Sequence, residues 1–161
     1  MSVIGSEVFP QRHDHGRCVT EALASAETQC AARGVRLTPL RRRVFALVWR
    51  SHRPIKAYDI LAALREEHQG AAPPTVYRAL EFLLNEGLIH RIESLNAYVG
   101  CAGPRGKHAG QFLICGECGT VVELNDPGIK ALLEARVGQL GFRLRRQTIE
   151  LDGTCPRCAG E

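Results

Sequence analysis

Two cysteine pairs, Cys115-Gly-Glu-Cys118 and Cys155-Pro-Arg-Cys158, constrain this chain more than any other feature. Each Cys-x-x-Cys is a hairpin-like turn that aims two thiolates at one metal ion, and glycine at 116 and 119 suits the tight backbone. The 36 residues between the pairs, 119–154, exceed the gap of a simple zinc ribbon. They read as strand, helix and strand, so the pairs can still meet in space. Four thiolates on one tetrahedral zinc leave no open coordination position, which makes the site structural. Its apparent binding energy, about 10 to 16 kcal/mol in comparable sites, would contribute directly to folding. A thioredoxin-like redox pair expects one such motif at a helix start in a βαβ setting, and that setting is missing.

Seven cysteines would suggest disulfides in a secreted chain. No secretory h-region opens this one, and no apolar run approaches the roughly 18 residues of a membrane span, so a soluble, cytoplasmic protein with metal-bound thiols is expected. Charge adds a partner. Residues 33–91 hold eleven Arg or Lys against five Asp or Glu, a local +6 in a chain of net +4, which leaves −2 elsewhere. A basic N-terminal half suits a polyanion such as nucleic acid.

The periodicity of that half agrees. Residues 1–16 have none and read as a mobile tail, and His13, Asp14 and His15 in it, with Cys18 just after it, match no ligand template closely. A first helix spans Arg17 to Arg33, with Cys30 in the core and Gly34 as its stop. Thr38-Pro39 opens a second helix whose first turn carries Arg41, Arg42 and Arg43. A third runs from about Ala57 to His68, with Tyr58 near its start. A fourth begins at Pro74 or Thr75 and stops at Gly87, burying Val76, Leu80, Leu83 and Leu84 while Thr75, Tyr77, Arg78 and Glu81 face away. Helices three and four make a helix-turn-helix whose second member enters the major groove of double-stranded DNA. Strands at Leu88–Glu93 and Ala97–Cys101, joined by Ser94-Leu95-Asn96, add a wing.

Beyond the wing, strands flank the first cysteine pair, Asp126-Pro127 caps a helix that Gly141 ends, and Phe142–Leu151 alternates as a strand. Three strands under one helix bury little, so this half gains from a partner subunit as well as from a metal. The expected fold class is therefore α+β. A winged-helix DNA-binding domain occupies 1–93, a hinge lies at 94–96, and a small α+β dimerisation domain with the four-cysteine zinc site covers 97–161. Four further zinc-type ligands, His90, Cys101, His108 and Glu123, surround the first cysteine pair. No His-x-Glu with a following Pro-Cys-x-x-Cys and no His-Glu-x-x-His is present, so a zinc deaminase or protease is not expected, nor is a small-molecule substrate.

Leu37-Thr38-Pro39, Ala57-Tyr58-Asp59-Ile60-Leu61, Pro74-Thr75-Val76-Tyr77-Arg78-Ala79-Leu80 and Leu113-Ile114-Cys115 with Cys118-Gly119 resemble the ferric uptake regulator superfamily over about residues 17 to 159. The resemblance implies a dimeric, metal-dependent bacterial repressor. Iron and peroxide sensors are expected to carry His-His-Asp-His directly before Leu-Ile-Cys, where this chain has Ala109, Gly110, Gln111 and Phe112. The spacing of His90, Cys101, His108 and Glu123 instead resembles the sensory site of the zinc uptake regulators. One thiolate, two imidazoles and a carboxylate suit tetrahedral zinc better than octahedral iron or manganese. The resemblance thus implies one structural and one regulatory zinc per subunit, a homodimer, and a palindromic operator held by Tyr58, Thr75, Tyr77, Arg78 and the Arg41–Arg43 cluster.

Overall fold

The computed structural model describes residues 15–67, 70–101 and 110–160. The chain divides into two compact units, Met1–Pro104 and Arg105–Glu161. In the first, α1 (His15–Ala32), α2 (Pro39–Trp49), α3 (Ala57–Glu67) and α4 (Pro73–Asn85) precede the strands β1 (Ile89–Ile92) and β2 (Ala97–Gly100). The local chemistry sets these boundaries. Thr38 caps α2 by accepting the Arg41 N–H at 3.4 Å, with Pro39 in the first helical position. At the far end of α4, Gly87 takes φ +68°, and the Leu88 N–H reaches back to the Leu83 carbonyl at 2.9 Å, the left-handed stop that glycine adopts most easily.

The core of this unit is a single apolar cluster in which Ala26 and Cys30 of α1 meet Val44, Phe45, Leu47 and Val48 of α2. Ile60, Leu61 and Leu64 of α3 and Val76, Ala79, Leu80 and Leu83 of α4 complete it. Every apolar position on the inner face of α4 is thus buried or packed, which leaves the opposite face to solvent. β1 and β2 pair antiparallel, with His90 opposite Val99 and Ile89 opposite Gly100. Ile55 and Tyr98 exchange backbone hydrogen bonds at 2.9 and 2.8 Å and tie the hairpin to the segment between α2 and α3.

Three boundaries differ from expectation. α1 starts at His15, inside the stretch read as a tail, and Cys18 is half-buried on it; His13 and Asp14 lie outside the described residues. The units divide after Pro104, about ten residues later than the expected hinge. Residues 94–96 are instead the tip of the wing, where Asn96 adopts φ +46° and accepts a hydrogen bond from Arg91 at 3.0 Å. The reason is pairing: β2 takes its hydrogen bonds from β1, and the Cys101 N–H continues the ladder to the Leu88 carbonyl at 3.2 Å, so 97–101 belongs with the first unit.

The second unit contains β3 (Gly110–Cys115), β4 (Val121–Glu123), α5 (Pro127–Gln139), β5 (Thr148–Gly153) and the one-turn α6 (Pro156–Ala159). The sheet order is β4-β3-β5, with β3 antiparallel to β4 and parallel to β5. β5 is shorter than the alternation over 142–151 predicts. Phe142 serves α5 instead, donating its N–H to the Val137 carbonyl at 3.2 Å past the left-handed Gly141. Asp126 caps α5 through the Gly128 and Ile129 N–H groups at 2.7 and 3.3 Å.

Gln111 is fully buried, and its amide bonds the Asp126 backbone twice, to the carbonyl at 3.0 Å and from the N–H at 3.2 Å. This pins the sheet to the start of α5. The helix itself buries nothing, and Leu132, Leu140, Phe142, Leu144 and Leu151 are all exposed in the single chain. Five large apolar side chains on so small a unit form the kind of surface that another protein chain covers. Among the described residues no helix is long and apolar enough to cross a membrane.

Candidate metal centre and nucleic-acid interface

The end of β3 delivers Cys115, the turn after it delivers Cys118, the end of β5 leads into Cys155, and α6 presents Cys158. The parallel register sets Cys115 opposite Gly153, so two cysteine pairs 36 residues apart in sequence are neighbours in the sheet. Their four sulfurs lie within 4.8 Å of one another. Backbone bonds hold both turns: Gly119 N–H to Cys115 carbonyl at 2.9 Å, Cys115 N–H to Thr120 carbonyl at 3.0 Å, and Gly116 N–H to Gly153 carbonyl at 2.9 Å. Gly119 needs φ +70° to complete its turn.

The geometry fits zinc. A tetrahedron with Zn–S bonds of about 2.3 Å has sulfur–sulfur edges of roughly 3.8 Å. Cys118 and Cys155 sulfurs lie 3.9 Å apart, far beyond a disulfide, and none of the cysteines is cross-linked. The electrostatics point the same way. A hydrogen bond with Thr120 at 3.2 Å, aided by the Thr120 backbone, pulls the Cys118 thiol down to about 5. Backbone N–H groups of Cys118 and Cys155 also lower Cys115. Hydrogen bonding to the Cys155 sulfur, burial and the other sulfurs push Cys158 up to about 12. Four crowded thiols cannot all ionise alone, and a divalent cation at their centre removes the conflict, because ligation deprotonates them. The Arg157 guanidinium hydrogen-bonds Cys118. The cysteine spacing marks the four sulfurs; Thr120 and Arg157 belong to no ligand motif, and their closeness in sequence to Cys118 and Cys158 is the only signal of them that the sequence carries.

The second expected ligand set divides between the units. His90 on β1 and Cys101 just after β2 are both in the first, and their ligand atoms lie within 4.8 Å of each other. Cys101 is buried and His90 half-buried. Cys101 therefore stands on the wing side of the division, not beyond it as the expected hinge implied. Glu123 ends β4 in the second unit, half-buried and opposite Phe112. His108 lies outside the described residues. At the position of the histidine run of iron sensors, Gln111 is committed to Asp126 and Phe112 is buried, so neither is a ligand.

On α3 and α4 the outward residues form one polar edge. Tyr58 is 77% exposed and Tyr77 57%, and Thr75 and Arg78 are exposed beside them. The arginine cluster on α2 is different. Arg41 bonds the Arg36 carbonyl at 2.8 Å and stacks its guanidinium over Phe82 at 3.6 Å from the ring centre. Arg42 pairs with Glu27 and Arg43 with Glu67. Arg41 is thereby held against Phe82 of α4, and the other two carry exposed ion pairs that cost little to exchange.

The chain matches the ferric uptake regulator family over residues 32–152. It is 44% identical over 139 residues to the zinc uptake regulation protein of Escherichia coli K12, covering 86% of this chain and 81% of that protein. A solved zinc uptake regulator complexed with zinc and DNA matches with a TM-score of 0.84 at 43% identity, covering 88% of this chain and 95% of the other. The crystal structure of holo XcZur matches at 0.81 with 44% identity, covering 88% and 99%. By these likenesses, and by a cysteine cluster that fits a metal-bound fold, the chain belongs to the ferric uptake regulator family.

Proposed function

We propose that this chain is a zinc-responsive, dimeric transcriptional repressor that binds a palindromic operator in the cytoplasm and shuts off zinc uptake genes. It works by binding rather than by catalysis. The observation that carries the reading is the coexistence of a closed four-sulfur cluster with a separate His90–Cys101 pair at the base of the wing. The first is structural and the second regulatory, and His108 and Glu123 complete the regulatory zinc from beyond the division at Pro104. Two ligands from each side then clamp the joint between the units. With the joint free, the two α4 helices of a dimer sample many separations; once clamped, they match half-sites about 34 to 36 Å apart or a multiple of that. Moving such a balance from 1:99 to 99:1 takes about 5.5 kcal/mol of differential binding, within reach of one zinc site.

The apolar side chains left exposed on α5 and β5 support the homodimer. Thr75, Tyr77, Arg78 and Tyr58 contact the operator, with Arg42 and Arg43 exchanging their carboxylate partners for phosphates. Arg78 forms the bidentate pair with a guanine. Arg78→Ala should cost about 1 to 3 kcal/mol on operator DNA and far less on random DNA. Equal losses on both, measured by gel shift, would make it a phosphate contact. The function itself is tested by operator binding of metal-stripped, structurally zinc-loaded dimer with added zinc, iron, manganese or nickel. Zinc alone should drive binding at low concentration; a preference for iron would assign the protein to another branch of the family.

A further inference from the structure

Trp49, the chain's single tryptophan, closes α2 directly against Gly100 at the end of β2. A Cβ at Gly100 would lie 2.4 Å from Cε2 of the indole and 2.6 Å from both Cδ2 and Nε1. No real side chain tolerates such contacts, so the indole occupies the space that a side chain at 100 would take. Within α2 the ring also meets Phe45, centroid to centroid at 5.8 Å, and Phe45 is buried in the helical core. Nε1 is buried without a hydrogen-bond partner among the described residues, so shape rather than a polar bond holds the ring. The residue after Gly100 is Cys101, and the residue opposite Gly100 on β1 is Ile89, next to His90. The indole is therefore packed between the helical core and the strand end that precedes Cys101.

We propose that Trp49 is the positioning residue of the regulatory metal site. Seated under Gly100, it fixes the height of the β2 end and with it the distance from Cys101 to His90, and it makes the packing of α2 sensitive to whether that pair holds a metal. The proposal rests on the reading of His90 and Cys101 as zinc ligands.

The test uses the full-length dimer with its structural zinc in place. The affinity of the second zinc is measured by chelator competition for the parent, Trp49→Ala, Gly100→Ala and Cys101→Ser, and tryptophan emission is followed through the titration of the parent and of Cys101→Ser. Residues that orient metal ligands commonly alter affinity by about 10- to 100-fold, so Trp49→Ala and Gly100→Ala should each weaken the second zinc by about tenfold or more while the four-cysteine zinc stays stoichiometric. Parent emission should shift at the second equivalent, and that of Cys101→Ser should not. If Trp49→Ala fails to fold, Gly100→Ala carries the test, since it displaces the ring without removing it. Parent-like affinity in the variants that fold, or parent emission blind to the second equivalent, overturns the proposal while leaving the zinc reading intact, provided Cys101→Ser has lost that zinc. A second zinc retained by Cys101→Ser overturns the reading and the proposal together.

Discussion

Cys118→Ser is expected to lose the structural zinc from each subunit and to yield monomer or unfolded protein. Hydrogen bonding with Thr120 pulls the Cys118 thiol down to about 5, and its sulfur lies 3.9 Å from that of Cys155. Without it, three thiols must bind a cation that prefers four, in a unit whose helix buries no residue and whose largest apolar side chains stand exposed. Structural zinc contributes about 10 to 16 kcal/mol of apparent binding energy in small domains. A typical domain's whole margin is about 5 to 15 kcal/mol, so even a partial loss removes the fold that presents the dimer face. Metal analysis with sedimentation equilibrium checks this. A stable dimer with the parent's zinc content would mean that the four sulfurs are packing rather than ligation.

What was legible in the sequence depended on how local the determining physics is. Thr38-Pro39 and Asp126-Pro127 announced helix starts because a capping side chain bonds N–H groups two or three residues away, and both caps form. The inner face of α4 could be read from Val76, Leu80 and Leu83 because helical period and burial coincide there. The four cysteines could be read because their spacing encodes a turn. Non-local facts were not legible. That β2 stays with the first unit depends on which strand supplies its hydrogen bonds, and the change in composition near Asn96 misplaced that boundary. That Arg41 stacks on Phe82, and that Arg42 and Arg43 meet Glu27 and Glu67, depends on partners on other helices, distant in sequence and invisible in a run of three arginines. The alternation over 142–147 suggested a strand, but Phe142 ends a helix instead.

Cys101→Ser should separate the two roles of zinc. Cys101 is buried beside His90 on the wing, outside the four-sulfur cluster, and a thiolate is the ligand that selects zinc over iron or manganese. The variant should keep its dimer and its four-cysteine zinc, bind about one zinc fewer per subunit, and lose nearly all zinc-stimulated operator affinity. Since a regulatory site that supplies about 5.5 kcal/mol raises the competent fraction from about 1% to about 99%, operator affinity at saturating zinc should fall by about two orders of magnitude in the variant. The most direct measurement is fluorescence anisotropy of labelled operator DNA while zinc is titrated into parent and Cys101→Ser dimers matched in structural zinc. The parent should bind operator steeply as zinc rises, and the variant should show no zinc-dependent binding over the same range. An unchanged, equally zinc-dependent curve from the variant would contradict the assignment of His90, Cys101, His108 and Glu123 as the sensor.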